Sequence, residues 1–182
     1  MEETGGGAPT DRTGAAKPAD RTWSSVAIPH HFQETEYTCG AASLRMVLEA
    51  VAGVALEEND LAQALRSNEQ IGTRQRRLRQ FMTDLGLNVQ EFDTDTRLDT
   101  IRNCMASGRV VLILYHLQVE ATDHYAVVLR IGPRRILLQD PWTGPATEMD
   151  LDAFDAAWRT KDGVAGRRSR WMLAVAAQAP LP

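Results

Sequence analysis

The sequence predicts an α+β protein, with a helical first half packed on a mainly antiparallel β-sheet supplied by the second half. Three observations carry this reading. From about residue 39 to residue 107 the apolar residues recur at helical spacing, and most of these stretches are closed by a glycine. After Gly108 the pattern changes to continuous apolar runs, VVLILY, YAVVLRI and RILLQD. Only Gly-Pro-Arg separates the last two runs, which is the punctuation of an antiparallel hairpin.

Residues 1–22 are rich in Gly, Ala, Pro and Thr without hydrophobic period, so they are expected to be a flexible extension outside the fold. Residues 23–178 then form one domain. A first helix is predicted over Cys39 to Ala52, with Leu44, Val47, Leu48 and Val51 on one face and Gly53 ending it. A short second helix is expected near Asn59 to Leu65. The third is capped by Thr73, has the stripe Leu78, Phe81, Met82 and Leu85, and stops at Gly86. Its basic run RQRRLRQ reads as a solvated helix face. A fourth, Thr96 to Ser107, turns Leu98, Ile101 and Met105 inward, with Cys104 as a small core residue. The strands follow over Val110 to Tyr115, Tyr125 to Ile131 and Arg135 to Asp140. Asp150 can cap a short helix that buries Phe154 and Trp158, Trp142 reads as core or groove wall, and RWMLAVAA is a final strand.

At 43% hydrophobic and 24% charged residues over 182 positions, the composition is that of a globular protein. A net charge of −4 leaves no broad basic footprint, so neither nucleic acid nor an anionic membrane is an expected partner. No segment reads as a secretory signal or a bilayer-crossing helix, which predicts a cytoplasmic location. There the two cysteines, Cys39 and Cys104, stay as thiols. Neither belongs to a close Cys or His pair, so no metal and no cofactor is expected.

Chemistry concentrates where Cys39 opens the first helix. A thiol attacks carbonyl carbon as thiolate, and a helix N-terminus together with a neighbouring imidazolium favours that form. His124, opening HYAVVLRI on a strand, is the favoured imidazole over His116, which lies in a polar connection. Asp140 ends the next strand before Pro141 and can accept a bond from His124, setting its tautomer. The Cys39 backbone N–H and the Gln33 side-chain amide are candidate oxyanion donors. The small residues Gly40, Ala41 and Ala42 are expected to leave room for a substrate backbone beside the sulfur.

QETEYTCGAAS, DHYAVV, LQDPWTG and FDAAW, in that order, resemble the motifs of the papain-like double-glycine leader peptidases across about residues 28–175. The resemblance implies a papain-like cysteine peptidase fold. It implies Gln33 as oxyanion donor, Cys39 as nucleophile, His124 as general base and acid, and Asp140 as the residue that orients the histidine. Nothing in the chain matches a P-loop or a set of membrane spans, so the resemblance is to a stand-alone form without transporter domains. The expected substrate is a peptide or protein, with a partner protein also compatible. An acyltransferase, amidase or isopeptidase would use the same four residues, and a non-catalytic peptide-binding domain would share the fold.

Overall fold

Strands that read as unbroken apolar runs, without alternation, should be covered on both faces. The computed structural model, which describes residues 22–94, 96–117, 121–161 and 168–177, shows that they are. In chain order the elements are β1 (Thr22–Trp23), α1 (Cys39–Ala52), α2 (Glu58–Leu65), α3 (Gln75–Asp84), β2 (Asn88–Phe92), α4 (Leu98–Ala106), β3 (Val110–Leu117) and β4 (Thr122–Ile131). There follow β5 (Arg135–Asp140), β6 (Gly144–Asp150), α5 (Leu151–Ala157), β7 (Thr160–Lys161), β8 (Arg168–Ser169) and β9 (Met172–Ala176). The main sheet has the order β2-β9-β3-β4-β5-β6, all antiparallel, and β1 pairs with the C-terminal end of β4. A separate ribbon is made by β7 and β8.

One face of the sheet presents Val110, Leu112, Leu114, Tyr125, Val127, Leu173 and Val175 to α1, α2 and α3. The other presents Val111, Ile113, Ala126, Val128, Met172 and Ala174 to α4 and α5. The fold is thus α+β, with α1, α2 and α3 forming the helical layer on one face of a mainly antiparallel sheet, and α4 and α5 covering the other. Cys104, Phe154 and Trp158 lie in the second core, as their positions on apolar stripes require.

α1 runs over the residues its stripe predicts and ends at Gly53, whose φ of +64° is the left-handed cap that glycine adopts without strain. Asp150 caps α5, accepting from the amides of Asp152 and Ala153. Two local readings need correction, and a third is narrowed. Thr73 does not cap α3, which starts after Arg74. The Thr73 hydroxyl is spent on Ser67 at 2.7 Å, and its carbonyl accepts from the Tyr125 hydroxyl at 2.8 Å. Leu85 follows the last turn of α3 and is 52% exposed, because the helix ends before its stripe would bring that residue inward. Trp142, read as core or groove wall, sits in the turn after β5 and is 42% exposed, which excludes only the first of these.

Candidate active site

The site is built where the N-terminus of α1 meets the β3–β4 hairpin and the end of β5. Thr38, just ahead of Cys39, turns its hydroxyl back to the Thr35 carbonyl at 3.0 Å and accepts from the Thr35 amide at 3.1 Å. It does not cap α1, so the first amides of that helix, the Cys39 N–H among them, are not satisfied by its side chain. Gly40 brings this end of the helix close to the segment before α3: a Cβ there would lie 2.5 Å from Thr73 Cβ. Ala41 and Ala42 are fully buried. The small residues after Cys39 thus serve packing, and the expected room for substrate lies on the other side of the sulfur.

The β3–β4 register sets Tyr115 opposite His124 and His116 opposite Asp123. Strand alternation puts Tyr115, His124 and Asp140 on one face. Asp140 is fully buried. Its Oδ1 accepts from His124 Nε2 at 3.0 Å and from the amides of Trp142 and Thr143, each at 2.8 Å, and its Oδ2 accepts from the Tyr115 hydroxyl at 2.5 Å. The Cys39 sulfur stands on the other side of the His124 ring, close enough to raise its pKa. With Nε2 on Asp140, Nδ1 is the ring nitrogen left for the sulfur.

The electrostatics follow from these contacts. Burial pulls the His124 pKa down, but the hydrogen bond and charge of Asp140, together with the neighbouring Cys39 side chain, outweigh it and hold the ring at about 9 against an ordinary 6.5. Burial pushes the Asp140 carboxyl up, but the bond and charge of His124, the Tyr115 hydroxyl and the Thr143 amide bring it to about 2 from 3.8. Burial and the Asp140 charge push the Tyr115 phenol far up, so it stays a donor. At neutral pH the arrangement carries an imidazolium between a carboxylate and a sulfur. That combination can deliver a nucleophile and then a proton.

Cys39 opens on a cleft of about 740 Å³, walled by Tyr37, by Glu69, Gln70, Ile71 and Gly72 of the turn before α3, and by His116 and Thr122 from the hairpin. His116 bonds Asp123 at 2.9 Å, so it belongs to the cleft wall and not to the Cys39–His124–Asp140 chain. Gln33 is held by its own amide, which donates to the Pro141 carbonyl at 2.9 Å. Its side-chain Nε2 donates to the Thr35 carbonyl at 2.7 Å, and Oε1 is buried without a hydrogen-bond partner among the described residues. An amide NH₂ carries two donors, and this bond uses one. No hydrogen bond joins Gln33 to Cys39 among the described residues.

Sequence reasoning brought Cys39, His124 and Asp140 forward and missed Tyr115 and Glu58. Tyr115 closes the run VVLILY, and its role needs the hairpin register, which would have placed its hydroxyl beside His124. Glu58 is 2% exposed and accepts from the Glu34 amide at 2.8 Å, tying the segment after Gln33 to α2. A carboxylate in the first turn of a helix gives no sign of that. No group of His, Cys, Asp and Glu among the described residues could hold a metal ion, and none of their helices is long and apolar enough to cross a membrane.

Comparison with known proteins decides the family. The family model of the peptidase C39 family matches residues 27–162, which includes every residue of this site. The chain belongs to the peptidase C39 family. It is a cysteine peptidase. The fold of this C39 peptidase is that of the peptidase domain of Streptococcus ComA, a bifunctional ABC transporter involved in a quorum-sensing pathway. That match has a TM-score of 0.65 at 20% identity and covers 84% of this chain and all of that one. A double-glycine motif protease from an AMS/PCAT transporter, in complex with its leader peptide, matches with a TM-score of 0.63 at 16% identity over 86% of this chain and 95% of that one. A protein described as a C39-like peptidase from Bacillus anthracis gives 0.64 at 14% identity, over 88% and 99%. No curated protein sequence matches the C39 peptidase chain.

Proposed function

We propose that the C39 peptidase cuts a leader or precursor peptide through a thioester on Cys39. The observation that carries this is the placing of Cys39, at the N-terminus of α1, beside a His124 that is hydrogen-bonded to a fully buried Asp140. In the proposed cycle Cys39 Sγ adds to the scissile carbonyl carbon, and the oxyanion is met by the Cys39 N–H and the second N–H of the Gln33 amide. The C–N bond then breaks as His124 gives its proton to the leaving amine. A water attacks the thioester, His124 takes a proton from it, and the sulfur leaves. Asp140 keeps the ring oriented and its charge stabilises the imidazolium in both halves. The double-glycine specificity of the structural relative supports a Gly-Gly or similar small-residue junction as the first substrate to try.

The test combines labelling with trapping. Cys39 and Cys104 are equally covered, at 7% exposure each, so accessibility does not distinguish them. Their surroundings do. Burial pushes the Cys104 thiol up, only partly offset by Arg109, while Cys39 faces a cleft and an imidazolium. Iodoacetamide at neutral pH should modify Cys39 and spare Cys104 until the chain unfolds. Mass spectrometry of a quenched reaction with a Gly-Gly peptide should find the acyl group on Cys39. Gln33→Ala should lower kcat by on the order of 10²–10³ with labelling little changed, the cost of one oxyanion donor. Labelling of Cys104 first, or turnover by Cys39→Ala, would remove the proposal.

A further inference from the structure

Cys39 is 7% exposed, so a scissile carbonyl must sink to the sulfur between the residues that cover it. A backbone that carries no side chains there approaches most closely. The chain has 13 glycines, yet only Gly5, Gly6 and Gly7 are adjacent, between the small residues Thr4 and Ala8. This run precedes β1, and among the described residues neither core reaches back beyond Val26, so the packing described above does not draw on it.

β1 fixes where the run is attached. Thr22 and Trp23 pair with Ile131 and Arg130, and the Ser24 amide donates to the Leu129 carbonyl at 2.9 Å. The chain thus enters the fold at the far end of the strand that carries His124 near its start. From Ile131 back to His124 is seven positions along β4, about 24 Å at the rise of a strand. The fifteen residues from Ala8 to Thr22 reach about 50 Å when extended. Because β1 runs antiparallel to β4, the preceding chain sets out away from His124 and has to double back, and twice the straight distance is enough for that. A tether that spans its gap holds its end at an effective concentration on the order of millimolar. In dilute solution the Gly-Gly junction that Cys39 meets most often is therefore its own.

We infer that the C39 peptidase is its own substrate: Cys39 cuts the chain that carries it, in cis, after a pair of glycines, at Gly6–Gly7 or Gly7–Ala8. The inference rests on the proposed reading of Cys39 as the residue that cuts. Sγ adds to the carbonyl carbon of the second glycine of the pair, and the C–N bond to the next residue breaks as His124 gives that nitrogen its proton. The residues ahead of the cut stay on Cys39 as a thioester until water attacks. They then leave with a free carboxylate, and His124 takes a proton from that water. The domain keeps a new N-terminal amine at Gly7 or Ala8, ahead of an intact β1.

Cell-free synthesis of the full 182-residue chain gives a defined zero time, and intact-mass spectrometry after synthesis is stopped reads its fate. The parent should lose everything ahead of Gly7 or Ala8, with a half-time that does not change over about a hundredfold dilution. Cys39→Ala should stay full length. So should Gly6→Val combined with Gly7→Val, while its cleavage of a separate Gly-Gly peptide and its Cys39 alkylation stay at parent values. A parent that stays full length while it cuts the separate peptide overturns the inference and leaves the cleavage reading standing. If neither is cut, the inference falls together with that reading. Cutting of Cys39→Ala at the same bond also overturns it, as does a half-time that lengthens in proportion to dilution, which would make the run a substrate for other copies only.

Discussion

Asp140→Asn isolates charge from geometry. An asparagine can keep its oxygen where Oδ1 now accepts from His124, Trp142 and Thr143, and turn its NH₂ toward the Tyr115 oxygen, which can accept. The fold loses little contact; the imidazolium loses its anion. The carboxyl is held at about 2 against an ordinary 3.8, which makes its ionised form worth about 2 kcal/mol to the folded state. By reciprocity His124 should fall from about 9 by one to two pH units, kept from falling further by the Cys39 side chain beside it.

Two assays follow. The alkaline limb of kcat/KM, where His124 loses the proton it must give the leaving amine, should move from near pH 9 to about pH 7. Activity at pH 8 should then fall up to about tenfold, and by less at pH 6. Stability has the same signature. A group raised on folding contributes fully below pH 6.5 and loses that contribution as pH climbs through about 9, so the parent's melting temperature should decline over that window and the variant's should decline less. The Asp140 contribution is present above pH 3.8 and lost as pH drops through about 2, so the variant should lack that acid limb. An unchanged alkaline limb in Asp140→Asn, or a loss of activity equal at all pH values, would refute the reasoning.

Other outcomes are expected together. Tyr115→Phe leaves Asp140 Oδ2 buried without its donor and should cost about 1–3 kcal/mol in chemical denaturation, with an alkaline limb kept near the parent's because His124 retains its anion. Gly40→Ala drives a methyl to 2.5 Å from Thr73 Cβ and should destabilise by about 1–3 kcal/mol, read as a lower melting temperature. Glu58→Ala frees the segment after Gln33 and should lower kcat more than it raises KM, whereas Glu58→Gln, which still accepts from the Glu34 amide, should recover most of the rate.

Legibility from the sequence followed burial. The α1 stripe and its closing glycine marked out that helix, and the doubly covered strands announced themselves as apolar runs. The two edge strands did not. NVQEF and GPATEMD each pair on one side only and stay largely exposed, so hydrophobic alternation had nothing to record. Thr73 looked like a cap because a threonine ahead of a helix often is one. Its hydroxyl was claimed by Ser67, a tertiary contact no local rule contains. The Cys39–His124–Asp140 chain was readable because each residue type is rare at such a position. Tyr115 and Glu58 were not, since a tyrosine ending a strand and a glutamate opening a helix are commonplace until the fold supplies their partners. The predicted extension over residues 1–22 falls almost wholly outside the described residues.

The segment that carries Gln33 has a kinetic meaning. Gln139 donates to the Ile28 carbonyl at 2.7 Å, His30 to that of Asp140 at 2.8 Å, and the Gln33 amide to that of Pro141, so three bonds fasten this early stretch to residues more than a hundred positions later. Contacts of such sequence separation form late, because the intervening chain must first be ordered. A nascent polypeptide that has already wound the helix bearing its sulfur therefore has neither an anchored amide arm nor an oriented imidazole until β5 emerges and docks. On the proposed reading of Cys39, the thiol is made early and armed last.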